Sequence, residues 1–465
     1  MATSPRRPLE PLVAVMGSTG TGKSDLAVDL ALRFNGEIIN ADAMQMYKGL
    51  PIITNQISPE EQRGVPHHLL AMVDHHEPTW TVQNFAAEAR KVIQGIRSRG
   101  KLPVVVGGTH YYVNSLLFED SVIRERQIGD DDDAAWKADE KTSVEFPILD
   151  APTDVMLERL REVDPVMGAR WHPTERRRIR RSLEIYLMTG KRASDIYAEQ
   201  QLSRLSSKDV GGPWEALMFW VYSKPDVLHD RLNRRVDKML ERGLMAEVKA
   251  LHEESGETAN RTKGVWQSIG FKQLEPFLRA EGDADSSPET VEKLKNAGME
   301  EMRIATRQYA RAQLKWIRGK TVPVLKEHDA LRYLYLLDSS DADQFSADVL
   351  QPAADICRRF LQGEDMVKPC ELSDTAREVL GPFEDSAPRP VLRHKTCDAC
   401  HMTVLESEWG KHVNGRRHRR ILKHKSRTAL VLVEDAEAGV QGVTHDHVTN
   451  QLNSRPPSVD LGGLP

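Results

Sequence analysis

Between the apolar run Leu12-Val13-Ala14-Val15-Met16 and a stretch carrying Leu26, Leu30 and Phe34 at helical spacing lies Gly-Ser-Thr-Gly-Thr-Gly-Lys-Ser, residues 17 to 24. Few folds accommodate that order. A strand must stop at Gly17, the backbone must curl through Gly20 and Gly22, and a helix must open near Asp25. The N–H groups of such a loop converge with the positive end of the helix dipole on one cluster of anionic oxygens. We therefore expect Gly17, Ser18, Thr19, Gly20, Thr21, Gly22, Lys23 and Ser24 to cradle a diphosphate or triphosphate. Lys23 adds a mobile charge, and Ser24 a hydroxyl suited to the Mg²⁺ that polyphosphates carry. The loop does not say which molecule bears the phosphates.

The next elements place carboxylate and hydroxyl chemistry beside it. Glu37 to Asp42 is a short strand, Val82 to Arg97 an amphipathic helix, and Leu102 to Val106 a buried strand ending at Gly107-Gly108-Thr109. Strands alternating with helices imply a parallel, doubly wound α/β sheet, whose ligands gather at the carboxyl edge. Asp42 and Thr109 both end strands at that edge. A carboxylate there could accept a proton from a nucleophile or help hold a metal.

From about residue 119 to 212 the alternation stops, and we expect a helical insert, with Asp130 to Asp133 as a solvated loop. Within it Thr174 can cap a helix whose buried stripe is Ile179, Leu183, Tyr186 and Leu187. The other face holds Arg176, Arg177, Arg178, Arg180 and Arg181, a crowding better tolerated if phosphates neutralise it. The sheet resumes at Leu217 to Tyr222 and is followed by one long helix from Val227 to Leu251. Arg231 and Arg235, one turn apart on it, could steady a departing pyrophosphate. A last core helix, Asn296 to Arg318, carries Arg303, Arg307, Arg311, Lys315 and Arg318 along one face, opposite a stripe of Met302, Ala305, Tyr309, Ala312 and Trp316. A cation ladder without interleaved acids suits a phosphate backbone. Tyr333 to Asp338 reads as a final strand, Val349 to Gly363 as a helix, and Lys368 to Val391 as a linker.

Composition bounds the rest. With 465 residues and 40% apolar side chains the chain can hold about three domains, and its net charge of −5 leaves any nucleic-acid footprint to local clusters. Four cysteines, two of them paired as Cys397 and Cys400, make no disulfide framework and favour a reducing compartment. No apolar run approaches the roughly 18 residues of a membrane span. We expect a monomer of the cytoplasm, with nucleus and mitochondrion open.

Several blocks in order resemble the tRNA dimethylallyltransferases: GSTGTGKS, INADAMQMY, VPHHLL, VVVGGTHYYVNSLL, TERRRIRRSLEIYLMTGKRASD, LHDRLNRRVDKMLERGLMAEVKAL, VWQSIGFKQL and ATRQYARAQLKWIRGK. They cover about residues 10 to 320. Ala43 stands where the family usually has Ser, and His110-Tyr111 where Gly-Leu is common. The resemblance implies transfer of a dimethylallyl group from dimethylallyl diphosphate to the exocyclic amine of the adenosine 3′ of the anticodon. It also implies that Asp42, Thr109, Lys23, Arg231 and Arg235 serve catalysis. tRNA would be read, at its anticodon stem-loop, by Asp42, Ala43, Met44, Gln45, Thr109, Arg177, Arg178, Ile179, Arg180, Arg181, Trp266, Gln267, Ser268, Arg303, Arg307 and Arg311. Two other classes compete: an ATP-dependent kinase or motor with Asp42 or Asp338 on Mg²⁺, and an RNA-binding scaffold with a vestigial loop.

Near the carboxyl end, Cys397-x2-Cys400 is followed by His412-x5-His418. This is two-Cys, two-His finger spacing, which gives Zn²⁺ a closed, structural tetrahedron, with Leu405, Trp409 and Val413 as a small core. Its tail, with Arg416, Arg417, Arg419, Arg420, Lys423 and Lys425, resembles fingers that bind RNA. The expected order is thus a phosphate-loop core from 10 to 118, a helical insert from 119 to 212, and the core's second part from 213 to 345. A helix and linker follow from 346 to 393, then the finger from 394 to 426 and a disordered tail from 427 to 465.

Overall fold

The computed structural model describes residues 7–77, 79–118, 146–206, 215–255, 264–384, 394–400, 402–416 and 418–423. Asp130 to Asp133, Arg417, Lys425 and the tail lie outside them. The chain divides into two compact units, one of residues 1–150 and 184–390 and the other of residues 151–183 and 391–465.

In the first unit six strands form one parallel sheet: β1 (Pro11–Gly17), β2 (Gly36–Asn40), β3 (His67–His68), β4 (Leu102–Gly107), β5 (Glu215–Tyr222) and β6 (Leu334–Asp338). Their order is β3-β2-β4-β1-β5-β6. Along β1, Leu12, Ala14 and Met16 enter one apolar cluster while Val13 and Val15 enter the other. The period of two explains why this strand reads as wholly apolar: both faces are covered by helices. α1 (Lys23–Arg33) packs on one side, with α2 (Val82–Ser98) and α3 (His110–Leu117) on the other. Register sets Met16 beside Gly107 and Gly17 beside Val221, so the carboxyl ends of the central strands make one edge. A Cβ on Gly107 would come within 2.2 Å of the Ala41 carbonyl, so only glycine lets the edge close this tightly.

Within the second unit α4 (Thr153–Val163) and α5 (Pro165–Arg170) precede the start of α6 (Arg176–Thr189), and α7 (Ala193–Ser206) follows in the chain. Beyond the insert the structure departs from the sequence reading in three places. The long helix is two, α8 (Pro225–Glu241) and α9 (Leu244–Ser255), because Gly243 takes φ +102° between them. After α10 (Phe271–Glu281), the last core helix begins earlier, as α11 (Pro288–Trp316), and its buried stripe is turned. Met299, Met302, Thr306, Ala310 and Gln313 face the core, while Ala312 is exposed.

The third departure is the stretch read as a linker. α12 (Gln351–Gln362) covers the sheet as expected, but Asp374–Glu384 then forms a further helix, α13. Ala376, Val379 and Leu380 are buried from it, and Lys326 Nζ donates to the carbonyls of Phe383 and Glu384 at 2.7 and 2.9 Å. Acidic composition hid an amphipathic helix whose C-terminal carbonyls are capped by a lysine brought from elsewhere.

Candidate active site

The loop's glycines adopt the backbone that the motif requires. Gly20 and Gly22 sit at φ +85° and +86°, and Gly22 is the left-handed cap from which α1 starts. Side chains tie the curl together: Thr21 Oγ1 and Lys23 Nζ both donate to the Ser18 carbonyl, at 2.9 and 2.8 Å. α11 holds it from outside. Ser18 Oγ donates to the Ala310 carbonyl at 3.1 Å, and the Thr19 N–H donates to Gln313 Oε1 at 2.8 Å. Gln313 Nε2 in turn donates to the Gly108 carbonyl at 2.9 Å, so one amide fastens the loop to the end of β4. Sequence reading missed Gln313. The signal was an amide falling on the stripe of Met302, Thr306 and Ala310 once that stripe is set correctly.

A cleft of about 690 Å³ opens here, lined by Thr19 to Asp25, Asp42, Gln45, Asn55 to Ile57, Glu61, Gly108 and a basic wall from α8. Arg231 and Arg235 do share that face. Arg231 donates to the carbonyls of Gly20 and Ser339 at 3.2 and 2.8 Å, and Arg235 to Thr19 Oγ1 at 2.8 Å. Arg234, Lys238 and Arg242 line the same wall and were not singled out from the sequence, where they read as ordinary helix charges.

Asp42 and Thr109 follow the ends of neighbouring strands, and Thr109 bonds the residue next to Asp42. Asp42 Oδ1 accepts from the Met44 N–H at 3.1 Å, and Thr109 Oγ1 accepts from the Ala43 N–H at 3.0 Å. Tyr309, from α11, hydrogen-bonds with Thr109 and Gln313. Burial raises the Asp42 pKa, opposed by Lys23, by the N–H groups of Met44 and Gln45, and by Arg235. Burial pushes Lys23 down to about 8, with Asp42 pulling the other way, and pushes Arg235 down to about 10. His110 is buried with both ring nitrogens unpartnered among the described residues, and burial with the nearby Lys23 charge takes it down to about 3, so it is neutral. Buried cations with one carboxylate between them form a site that gains by receiving an anion.

Asp338 is spent elsewhere, accepting from the Ser340 N–H at 2.9 Å and Thr375 Oγ1 at 2.7 Å. The only group of three or more His, Cys, Asp or Glu able to hold an ion among the described residues is at the carboxyl end.

The remaining sequence candidates fall into three sets. The cation ladder of α11 is answered by α8: Arg303 pairs with Asp237 at 2.7 Å, Arg307 donates to Asn233 Oδ1 at 2.6 Å, and Arg311 reaches His229 Nε2 at 3.3 Å. Glu300 lies 3.3 Å from Arg303 as well. The expectation of an unanswered ladder is therefore corrected: Glu300 answers it from α11 itself, and Asp237, Asn233 and His229 from another helix, which spacing within one helix cannot reveal. Trp266 is a core ring, 7% exposed, with edge contacts to His75 and Phe271. Ser268 is buried beside it, and Gln267 is half-buried.

The arginines of α6 divide. Arg176 donates to the Ala151 carbonyl at 2.7 Å, and Arg178 pairs with Glu175 and lies 5.2 Å from the centre of the Trp171 ring. Arg177 is exposed, whereas Ile179 is buried and Arg180 and Arg181 are half-buried. The buried face comprises Ile179, Leu183 and Ile185, with Tyr186 and Leu187 only partly covered. Thr174, expected as a cap, instead engages His172 Nδ1 at 2.8 Å, and Glu175 accepts from the His172 N–H at 2.9 Å.

In the second unit, β7 (His394–Thr396) and β8 (Thr403–Leu405) make a hairpin followed by the short helix α14 (Trp409–Val413). The sulfurs of Cys397 and Cys400 and one nitrogen each of His412 and His418 all lie within 4.8 Å of one another. Two thiols and two imidazoles converging so closely fit a tetrahedral Zn²⁺. Leu405, Trp409 and Val413 are only half-buried, so the apolar core of this module is slight.

Residues 45–320 match the family model described as IPP transferase. The chain is 36% identical over 439 residues to the tRNA dimethylallyltransferase of Schizosaccharomyces pombe, covering 90% of this chain and 97% of that one. It is 34% identical to the human tRNA dimethylallyltransferase, over 94% of this chain and 91% of that one. A solved eukaryotic dimethylallyltransferase acting on tRNA superposes with a TM-score of 0.73 at 33% identity, covering 92% of this chain and all of that one.

Proposed function

The chain belongs to the IPP transferase family, and from that premise we infer how its residues divide the work of a tRNA dimethylallyltransferase. The reaction joins the exocyclic amine of the adenosine 3′ of the anticodon to the dimethylallyl carbon and releases diphosphate. The observation that carries the reading is Asp42 standing within one charged cluster with Lys23 and Arg235, at the mouth of a phosphate loop.

In this reading the loop from Gly17 to Ser24 binds the diphosphate of the donor. Lys23, Arg231 and Arg235 offset the charge that grows on it as the carbon–oxygen bond breaks. Mg²⁺, when bound with Ser24, would add further charge on the phosphate oxygens. Asp42 accepts a hydrogen bond and then the proton from the amine, and Thr109, oriented by the Ala43 N–H and Tyr309, steadies the reacting groups. The adenosine must leave its stack to reach Asp42, with Ala43, Met44 and Gln45 beside it. With Zn²⁺ bound by Cys397, Cys400, His412 and His418, the finger would add affinity for the rest of the tRNA through its exposed arginines. No helix among the described residues is long and apolar enough to cross a membrane. On its cysteine usage we assign the enzyme, as a monomer, to the cytoplasm.

The test is single-turnover transfer of labelled dimethylallyl diphosphate to an anticodon stem-loop. Label entering the adenosine 3′ of the anticodon is expected. Loop-dependent ATP hydrolysis without transfer would replace this reading with an RNA-directed kinase or motor.

Lys23 makes a second, pH-dependent expectation. Its pKa of about 8 in the free protein lies below that of an unfolded lysine, so the folded protein sheds this proton first. Below about pH 8 the ammonium is present and a diphosphate is held fully; above it, binding must take up a proton, and affinity should fall towards tenfold per pH unit. A diphosphate monoester is already ionised there, since phosphate monoesters lose their second proton near pH 6, about two units lower. Calorimetric titration from pH 7 to 9.5 measures the slope. An equal slope in Lys23→Ala would refute the assignment.

A further inference from the structure

One wall of the cleft is fastened by a carboxylate that no catalytic role has claimed. Where Gly243 interrupts the chain between α8 and α9, the new helix carries Glu247 in its first turn. Its two oxygens each accept a backbone N–H from a segment almost two hundred residues earlier: Ile53 to Oε1 at 2.7 Å and Ile52 to Oε2 at 2.9 Å. A single carboxylate thereby caps two adjacent donors of a loop that has no strand to bond to.

That loop is the cleft wall. Just past the two capped residues, the carbonyls of Thr54 and Asn55 accept from Gln45 Nε2, at 3.3 and 2.9 Å. Gln56 Nε2 returns the tie, donating to the carbonyls of Gln45 and Tyr47 at 3.1 and 2.7 Å. The Gln45 N–H then reaches the Asp42 carbonyl at 3.2 Å. Gln45, Asn55, Gln56 and Asp42 all line the cleft. The segment is a turn held internally by the N–H groups of Thr54, Asn55 and Gln56, and Asn55 takes φ +52°, so these ties are what fix the turn against its neighbours.

We propose that Glu247 is a positioning residue for the transfer reaction: it holds the 52–56 loop, and through it Gln45, in the geometry that receives the adenosine beside Asp42. The proposal rests on the reading of the cleft given above. Diphosphate binding is not its target, because the loop from Gly17 to Ser24 and α8 take that load.

The test is a double-mutant cycle of Glu247→Gln and Gln45→Ala in the full-length protein. It measures the Kd of an anticodon stem-loop without turnover, the single-turnover rate with dimethylallyl diphosphate, and the Kd of a diphosphate monoester. Glu247→Gln keeps the shape but sets an amide N–H against a backbone N–H. We expect stem-loop affinity to fall by about tenfold, the loss of a charge-assisted pair, and the diphosphate Kd to stay put. The double variant should be at most about twofold worse than the worse single variant, because both act through one tie. Effects that multiply, or unchanged stem-loop affinity in Glu247→Gln, would overturn the proposal. Should Glu247→Gln fail to fold, Glu247→Asp, which keeps both oxygens a methylene short, goes through the same cycle with the same criteria. Absence of transfer by the wild-type protein would instead count against the catalytic reading, and the binding arm would still decide the role of Glu247.

Discussion

Asp42→Asn is expected to slow single-turnover transfer at least about a hundredfold, the usual contribution of a positioned general base. Asparagine keeps an acceptor for the Met44 N–H that now bonds Oδ1, so the turn after β2 should survive. What it removes is the charge. Because Asp42 now pulls the Lys23 pKa up, its loss also lets Lys23 fall below its present value of about 8. Weaker diphosphate binding should accompany the slower step at neutral pH and recover as pH is lowered. The catalytic loss will not recover, since the amine has no acceptor at any pH. In the wild type the acid limb of the rate profile should lie above the ordinary carboxylate range, because burial raises Asp42. A loss under about tenfold at saturating substrate would mean that the amine's proton goes elsewhere.

Removing zinc is expected to unfold the module from His394 to Lys423 outright. Apparent binding energies of about 10–16 kcal/mol for structural zinc in small fingers exceed anything its half-buried Leu405, Trp409 and Val413 can supply. Trp409 reports it: Lys395 Nζ sits 4.4 Å from the ring centre and His412 5.5 Å away. Chelation, or Cys397→Ala, should shift its environment to that of a solvated indole while the first unit melts as before. The Kd for tRNA should rise and lose part of its salt dependence, as Arg416, Arg419 and Arg420 stop being presented together. Transfer at saturating tRNA should be little changed. An unaltered near-ultraviolet spectrum after metal removal would show that the four ligands hold without an ion.

Much of the site was legible because its logic is local. Glycines that must take positive φ, a lysine and a serine at fixed offsets, and a carboxylate and a threonine ending two strands all declare themselves within a few residues of chain. The same holds for Cys397, Cys400, His412 and His418, whose spacing alone limits where their donors can go. The alternation of buried strands and amphipathic helices gave the parallel sheet by the same local rule.

What misled were inferences about what a surface faces when its partners lie far away in the chain. The cations of α11 read as an offer to phosphate because its own acids are few, yet Asp237, Asn233 and His229 approach them from α8. Trp266 read as an RNA contact, and the fold covers it. The acidic stretch before the finger read as a linker, and the fold gives it a groove and a lysine cap. Gln313 and Glu247 did not register at all, although one ties the phosphate loop to β4 and the other ties a cleft wall to α9. The sequence by itself determined where the phosphate loop, the strand-end carboxylate and threonine, and the four Cys and His donors lie, because backbone conformation and ligand spacing are short-range properties. Only the tertiary structure decided which charges remain for a ligand and which amides hold the site in shape, because a hydrogen bond between residues two hundred apart leaves no periodicity for a sequence to show.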